Sequence, residues 1–266
     1  MKGVTKFFPN GEADVMAIEA GHDLLEISEN SSRAIGLVEA AVKSGRIKQV
    51  ELDQRVKRVL AAKYWLGLNN YRPVKLTNLV NDLNVPAAKS LVQRLADAAV
   101  TVLKSDKRIQ TFNKRIETAI VCIGVNEPQD FEKGLFVQVS HKKEFFITGR
   151  ETEEELKDLL KEIRQSPQIV LVIHDSRVRP ASEVKINAQV REFIGRLAGK
   201  RTITVMFTNP YVLDNLPIER SNSIIMAYQN DHFMQKAALK VLLGQIKAAG
   251  KLPVTVNKRF VYGDGE

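Results

Sequence analysis

Two hydrophobic rhythms divide this chain. From about residue 86 onward, short unbroken apolar runs alternate with stretches whose apolar residues recur every three to four positions. The runs 118–123 (TAIVCI) and 168–173 (QIVLVI) lack the polar alternation of a half-exposed strand, so they read as central strands buried on both faces. Residues 100–103, 144–148, 201–207 and 223–227 read as further strands. Helices are expected at 86–99, through Phe131 and Leu135, and at 151–164, 184–198 and 232–248. Leu156, Leu159, Leu160 and Ile163 form one apolar stripe, and Ile186, Val190, Phe193, Ile194 and Leu197 another. Pro86 suits a first helical turn, and Leu91, Leu95 and Ala98 are expected to face inward. Gly250 reads as the stop of the last helix, and 252–256 (LPVTV) as a closing edge. Strands alternating with helices, about five or six of them parallel, predict a doubly wound α/β domain.

The first 68 residues follow a different rhythm. Ala13, Met16, Ala17 and Ala20 recur at helical spacing and Gly21 is a natural stop. Leu24, Leu25 and Ile27 then read as a short buried strand. A helix capped by Ser31 or Ser32 follows, with Ile35, Val38, Ala41 and Val42 on one face and an end at Ser44-Gly45. The next helix carries Val56, Val59, Leu60 and Tyr64 and stops at Gly67. A parallel strand–helix unit of this kind needs neighbours on both faces. Residues 69–85, with Pro73 and no sustained period, read as a linker that Tyr71 and Leu76 pin to a surface. The domains predicted are therefore 1–68 and 86–266.

The ordered set of stretches MKGV, EAGHDLLEIS, AAVKSGRI and LDQRVKRVLAAKYWLGL resembles the end of the catalytic barrel of glycoside hydrolase family 3. The subgroup it is most similar to is the bacterial β-N-acetylglucosaminidases. Further on, ADAAVTVLKSD, VMFTNPYVL, IIMAYQND, AALKVLLGQIKAAGKLPVTV and FVYGDG resemble the family's C-terminal α/β sandwich domain. The resemblance implies that 1–68 are the last units of a (β/α)8 barrel and 86–266 the sandwich domain. It implies a retaining glycosidase whose Asp nucleophile lies in a pattern Asp-x-x-x-Met-x-Gly. Met1 and Gly3 align with the end of that pattern, so the Asp is expected just before Met1, and the subgroup's His-Asp acid/base pair further upstream. On that basis the chain is expected to be inactive alone, its partners being a carbohydrate substrate and a missing barrel or second chain. Phe7 and Phe8 are expected to pack near the sugar site or to staple the following helix.

Composition narrows the alternatives. With 266 residues, 44% hydrophobic and 27% charged, the chain has the make-up of an ordinary globular protein of one or two domains. Its net charge of +9 belongs mostly to the second part, which holds 30 Lys and Arg against 22 Asp and Glu, while residues 1–70 hold 10 against 9. These charges fall in mixed-sign helical runs such as ETEEELKDLLKEIR, a solvated face and not a nucleic-acid footprint. No apolar run approaches the roughly 20 residues of a membrane span, and no signal peptide opens the sequence. A single cysteine, Cys122, forbids an intramolecular disulfide and reads as a buried strand thiol.

Candidate chemistry lies where α/β sheets hold ligands, in the loops after the strands. Those loops carry Asn126-Glu127, His174-Asp175-Ser176-Arg177, Asn209-Pro210-Tyr211 and Gln229-Asn230-Asp231-His232. His174, Asp175, Arg177 and Asn209 are the candidate substrate-binding residues. The resemblance makes Glu127 and Glu183 candidates for a catalytic carboxyl, since some two-domain members supply one from the second domain. His22-Asp23 pairs a base with an orienting acid in sequence, but adjacent residues point apart, so it reads as a turn. No dinucleotide or P-loop fingerprint is present, the four histidines lack metal spacing, and no cofactor is expected. The alternative function is a non-enzymatic α/β module that binds sugar or docks on a separate barrel. A flavodoxin-like regulatory domain is a weaker fit, for want of an acidic cluster at the end of the first strand.

Overall fold

The computed structural model describes residues 12–26, 28, 30–105, 112–175 and 183–266. They fall into two units, Met1–Leu79 and Val80–Glu266. Phe7, Phe8, Ile27, Ser176 and Arg177 lie outside the described residues.

The described part of the first unit is helical. α1 (Glu12–Glu19) ends at Gly21, whose φ of +111° favours glycine. α2 (Ser31–Lys43) is capped by Asn30, whose Oδ1 accepts from the backbone N–H of Arg33 at 3.0 Å, so the cap is neither Ser31 nor Ser32. α3 (Gln49–Trp65) ends at Gly67. Val15, Ile18, Ala41 and Ile47 form a small core. The strand expected at Leu24, Leu25 and Ile27 does not form over its described residues, and Leu24 is 68% exposed. A lone parallel strand has no ladder partner for its N–H and C=O groups, and no other strand occurs among the unit's described residues. α3 buries none of its residues, leaving Val56, Leu60 and Tyr64 in solvent, and Ile35 of α2 is exposed too. Tyr71 and Leu76, expected to pin the linker to a surface, are likewise exposed.

His22 and Asp23 sit on the turn after α1. The Asp23 carboxylate receives Nη2 and Nε of Arg58 at 2.5 and 2.8 Å, and Arg55 donates to the His22 carbonyl. The Arg58 hydrogen bond holds the Asp23 carboxyl below its ordinary range. Asp23 therefore ties the turn to α3.

The second unit is a six-stranded sheet with helices on both faces. α4 (Leu79–Leu83) begins at the unit boundary and α5 (Pro86–Ala99) follows. The strands are β1 (Thr101–Ser105), β2 (Thr118–Ile123), β3 (Lys142–Ile147), β4 (Gln168–His174), β5 (Thr202–Phe207) and β6 (Ser223–Met226). Their order is β1-β6-β5-β4-β2-β3. β2 to β6 run parallel, whereas β1 pairs antiparallel with β6. Every residue of β2, β4, β5 and β6 is buried, as unbroken apolar runs require. α6 (Asp130–Gln138), α7 (Glu153–Ile163), α8 (Ala188–Leu197) and α9 (His232–Leu242) connect or follow the parallel strands. Two apolar clusters fill the spaces on the two faces. Phe193, Ile194 and Leu160 belong to one, and Phe131, Leu135 and Ala238 to the other.

Three expectations are corrected here. α5 turns Ala96 inward and leaves Leu91, Leu95 and Ala98 exposed, because the small Ala96 face lets it approach α9. Gln93 and Asp97 then reach the Phe233 carbonyl and the Lys240 ammonium. The last helix stops at Gly244, with φ +68°, and not at Gly250. Residues 252–256 form no strand. Instead Gly250 and Glu266 donate to the Val100 and Val102 carbonyls along the outer edge of β1, which blunts that edge. Among the described residues no helix is long and apolar enough to cross a membrane.

Candidate functional site

The five parallel strands fix where a ligand fits. From β2 the chain moves outward to β3, then returns to the other side of β2 for β4, β5 and β6. The connections diverge between β2 and β4, and beyond the C-terminal ends of these strands lies the topological switch point. A cleft of about 500 Å³ opens there, within the size range of small-molecule sites. Gly124 follows β2, Thr148, Gly149 and Arg150 follow β3, His174 and Asp175 end β4, and 184–187 lead into α8. Grooves of similar volume beside α5 and in the first unit are lined mainly by apolar side chains. At the switch-point cleft polar groups converge, with Thr148, Arg150, Asp175, Lys185 and Asn187 in its lining.

Two glycines make the cleft floor. Gly124 has φ +87°, and a Cβ there would lie 2.5 Å from the His174 carbonyl oxygen. Gly149 has φ +99°, with the Lys185 carbonyl 2.9 Å from an added Cβ. The loop after β3 is held by Glu151. Its carboxylate accepts from Thr148 N at 2.6 Å, Thr148 Oγ1 at 2.8 Å, and Gly149 N and Arg150 N at 2.9 Å. Burial pushes the Glu151 pKa up, but the Thr148 and Gly149 hydrogen bonds outweigh it and the net shift is downward. A carboxyl whose folded pKa lies below its unfolded value of about 4.3 contributes stability that is present above that value. That contribution is lost as pH falls through the folded pKa. Glu151→Gln is therefore expected to cost about 1–3 kcal/mol at pH 7 and to shrink the acid-side loss of stability, as read by urea unfolding at pH 7 and pH 3.

His174 lies under this floor, 1% exposed. Its Nε2 is 2.9 Å from Glu132 Oε1 and its Nδ1 is 2.9 Å from Asn230 Oδ1. The ring stacks on Phe207 at 5.0 Å, and Phe207 meets Phe131 edge-on. Glu132 is fully buried in the first turn of α6, and its Oε2 accepts from the Gln129 backbone N–H. Burial, and next the Glu132 charge, push the Cys122 thiol far up, so this cysteine is a buried, protonated strand residue. Among the described residues no group of His, Cys, Asp and Glu could hold a metal ion.

The structure brings His174 and Asp175 to the cleft but gives them different surroundings. His174 has both ring nitrogens engaged inside the protein. Asp175 is largely buried, and its backbone N–H donates to the Phe207 carbonyl. Asn209 caps the 3-10 turn Pro210–Asp214 by accepting from Tyr211 N, and does not line the cleft. Glu127 and Glu183 are exposed and also stand outside the cleft lining. Sequence reasoning missed Glu132. Its one signal is its place three residues after Gln129, as the N3 acid of a capping box.

No family model matches the chain. It is similar to a β-N-acetylglucosaminidase/β-glucosidase of Cellulomonas fimi, 22% identical over 96% of this chain and 47% of that protein. A putative β-xylosidase of Formosa agariphila is 22% identical over 92% of this chain and 36% of its own length. Among solved structures, a glycoside hydrolase family 3 β-N-acetylglucosaminidase from Paenibacillus sp. str. FPU-7 superposes with a TM-score of 0.68 and 26% identity. That match covers 96% of this chain and 49% of that one. The chain thus spans about half the length, or less, of the curated relatives it matches. Glycoside hydrolase family 3, the family of that Paenibacillus enzyme, is the one whose fold this chain, with its mostly parallel six-stranded sheet, resembles.

Proposed function

We propose that this chain is the C-terminal portion of a retaining, β-N-acetylglucosaminidase-like glycoside hydrolase of family 3. Residues 1–68 are its last barrel segments, 69–85 the connection, and 86–266 the sandwich domain. The observation that carries the reading is the coverage, 96% of this chain against 49% of a family 3 β-N-acetylglucosaminidase. The exposed apolar stripe of α3 also supports it, since barrel helices turn such a stripe onto strands. In the whole protein a retaining mechanism needs two carboxyls about 5–5.5 Å apart, one as nucleophile and one as acid/base. On this reading the nucleophilic Asp and the His-Asp acid/base lie in residues before Met1. Glu127 and Glu183, exposed and outside the cleft, fit neither role as well. The switch-point cleft, with Asp175, Arg150, Lys185 and Asn187 around it, is where the second domain contributes polar contacts to a carbohydrate.

The expected result with the purified chain is no turnover of aryl N-acetyl-β-glucosaminide, β-glucoside or β-xyloside. Saturable hydrolysis of any of them would place the catalytic groups within these residues and sink the proposal.

A further inference from the structure

The buried polar network under the cleft fixes where its protons sit. A backbone N–H can only donate, and that of Phe131 reaches Gln235 Oε1 at 2.9 Å. The Gln235 amide is thereby oriented, so its Nε2 is the atom that donates to Asn230 Oδ1 at 2.8 Å. Asn230 Oδ1 is therefore an acceptor, and His174 Nδ1, 2.9 Å from it, must bring the proton. On the other side of the ring, Glu132 Oε2 is occupied by the Gln129 N–H, and Oε1 faces His174 Nε2. One proton fits between Oε1 and Nε2. Whether it rests on nitrogen or oxygen, the His174–Glu132 pair is neutral overall, which is how two fully buried ionisable groups avoid an uncompensated charge.

We propose that His174 is a positioning residue of the switch-point cleft, its proton fixed on Nδ1 and one further proton shared between Nε2 and Glu132. The ring ties the exit of β4 to the first turn of α6 and, through Asn230, to the loop before α9. The β6–α9 loop is itself held in an unusual course, because Tyr228 adopts φ +58°, a conformation that aromatic residues rarely take. The Tyr228 hydroxyl is anchored on Thr101 Oγ1 at 2.6 Å. The next residue after the clamped imidazole is Asp175, so the clamp sets where Asp175 meets the cleft. The proton placement follows from hydrogen-bond directions alone and holds whatever ligand the cleft takes.

Side-chain nitrogen NMR of the histidine-labelled full chain tests the proton placement. The His174 Nδ1 signal is expected at the position of a protonated nitrogen at neutral pH, in contrast to the Nε2–H form that free imidazole prefers. Exchange of the Asp175 amide tests the positioning. His174→Phe keeps the stack on Phe207 but removes both hydrogen bonds, and should speed that exchange about tenfold while the centre of β4 is unaffected. Glu132→Gln, which still accepts from Gln129 and can donate to Nε2, should leave the Asp175 amide within about threefold of the parent. It should also hold His174 as a neutral Nδ1–H ring. An unprotonated Nδ1 in the parent overturns the proposal, and so does an Asp175 amide indifferent to His174→Phe. Should His174→Phe not fold, the parent spectrum and Glu132→Gln decide the matter alone.

Discussion

Glu132→Ala is expected to lower the unfolding free energy of the second unit by about 3–5 kcal/mol, from one buried and one part-buried group left without hydrogen-bond partners at about 1–3 kcal/mol each and from the void beside them. The reason lies in what is left behind. His174 Nε2 loses its partner in a place with no access to water, and the Gln129 N–H loses its acceptor. The shortened side chain also leaves a void in the buried space where it reached His174. Glu132→Gln keeps the volume and both hydrogen-bond directions, so its cost should be nearer 1 kcal/mol. Denaturant unfolding followed by far-ultraviolet circular dichroism separates the two. Equal, small losses for both variants would mean that the pair contributes little to holding α6 on the sheet.

Gly250→Ala is the second large effect, at about 3 kcal/mol, the upper end for a substitution that overpacks a closed site. A Cβ at this position would lie 2.0 Å from the Ala99 carbonyl oxygen and 2.6 Å from Thr101 Oγ1. Backbone at the end of α5 cannot give way as a flexible side chain would, so the C-terminal segment must move off. It would carry with it the Gly250 and Glu266 hydrogen bonds that cover the outer edge of β1. Gly244→Ala makes the comparison. Its φ of +68° strains an alanine, but an added Cβ meets nothing within 4 Å, so about 1 kcal/mol is expected. Exchange at the β1 edge amides should rise in Gly250→Ala and stay at the parent level in Gly244→Ala.

The elements of the second unit were legible because its central strands cannot be anything else. Five consecutive apolar residues in TAIVCI, or the QIVLVI run, suit a strand covered on both faces, and the intervening stripes at helical spacing cover them. The direction of β1 was not legible. Direction depends on which edge a strand joins, and TVLKS pairs as well either way. The facing of α5 was ambiguous because it offers two stripes, a bulky one at Leu91 and Leu95 and a small one around Ala96. Close approach to α9 selected the small one. In the first unit the stripes at Val56 and Leu60 were read correctly as apolar, but an apolar stripe records only what a helix is suited to pack on. The strand expected at Leu24 does not form because no strand that could pair with it occurs among the unit's described residues.

The candidate site shows the same limit. His174 and Asp175 stood out as candidates because loops after central strands hold ligands in this architecture, and both line the switch-point cleft. The sequence carried nothing to say that His174 turns inward while its neighbour faces the cleft. That depends on Glu132, Asn230 and Gln235, which lie 42, 56 and 61 positions away and meet it only in the folded sheet. A glutamate beside Phe131 in an amphipathic helix looks like a solvated charge until its partner is known.

Amide hydrogen exchange on the purified chain, read separately for residues 12–70 and 86–266, decides whether the first unit is an unfinished part of a larger barrel. This account predicts slow exchange through β2, β4 and β5 and fast exchange across α1 to α3, whose apolar faces lack the strands they suit. Equally slow exchange in both parts would contradict it, because the first unit would then be complete in itself and the chain a self-sufficient module.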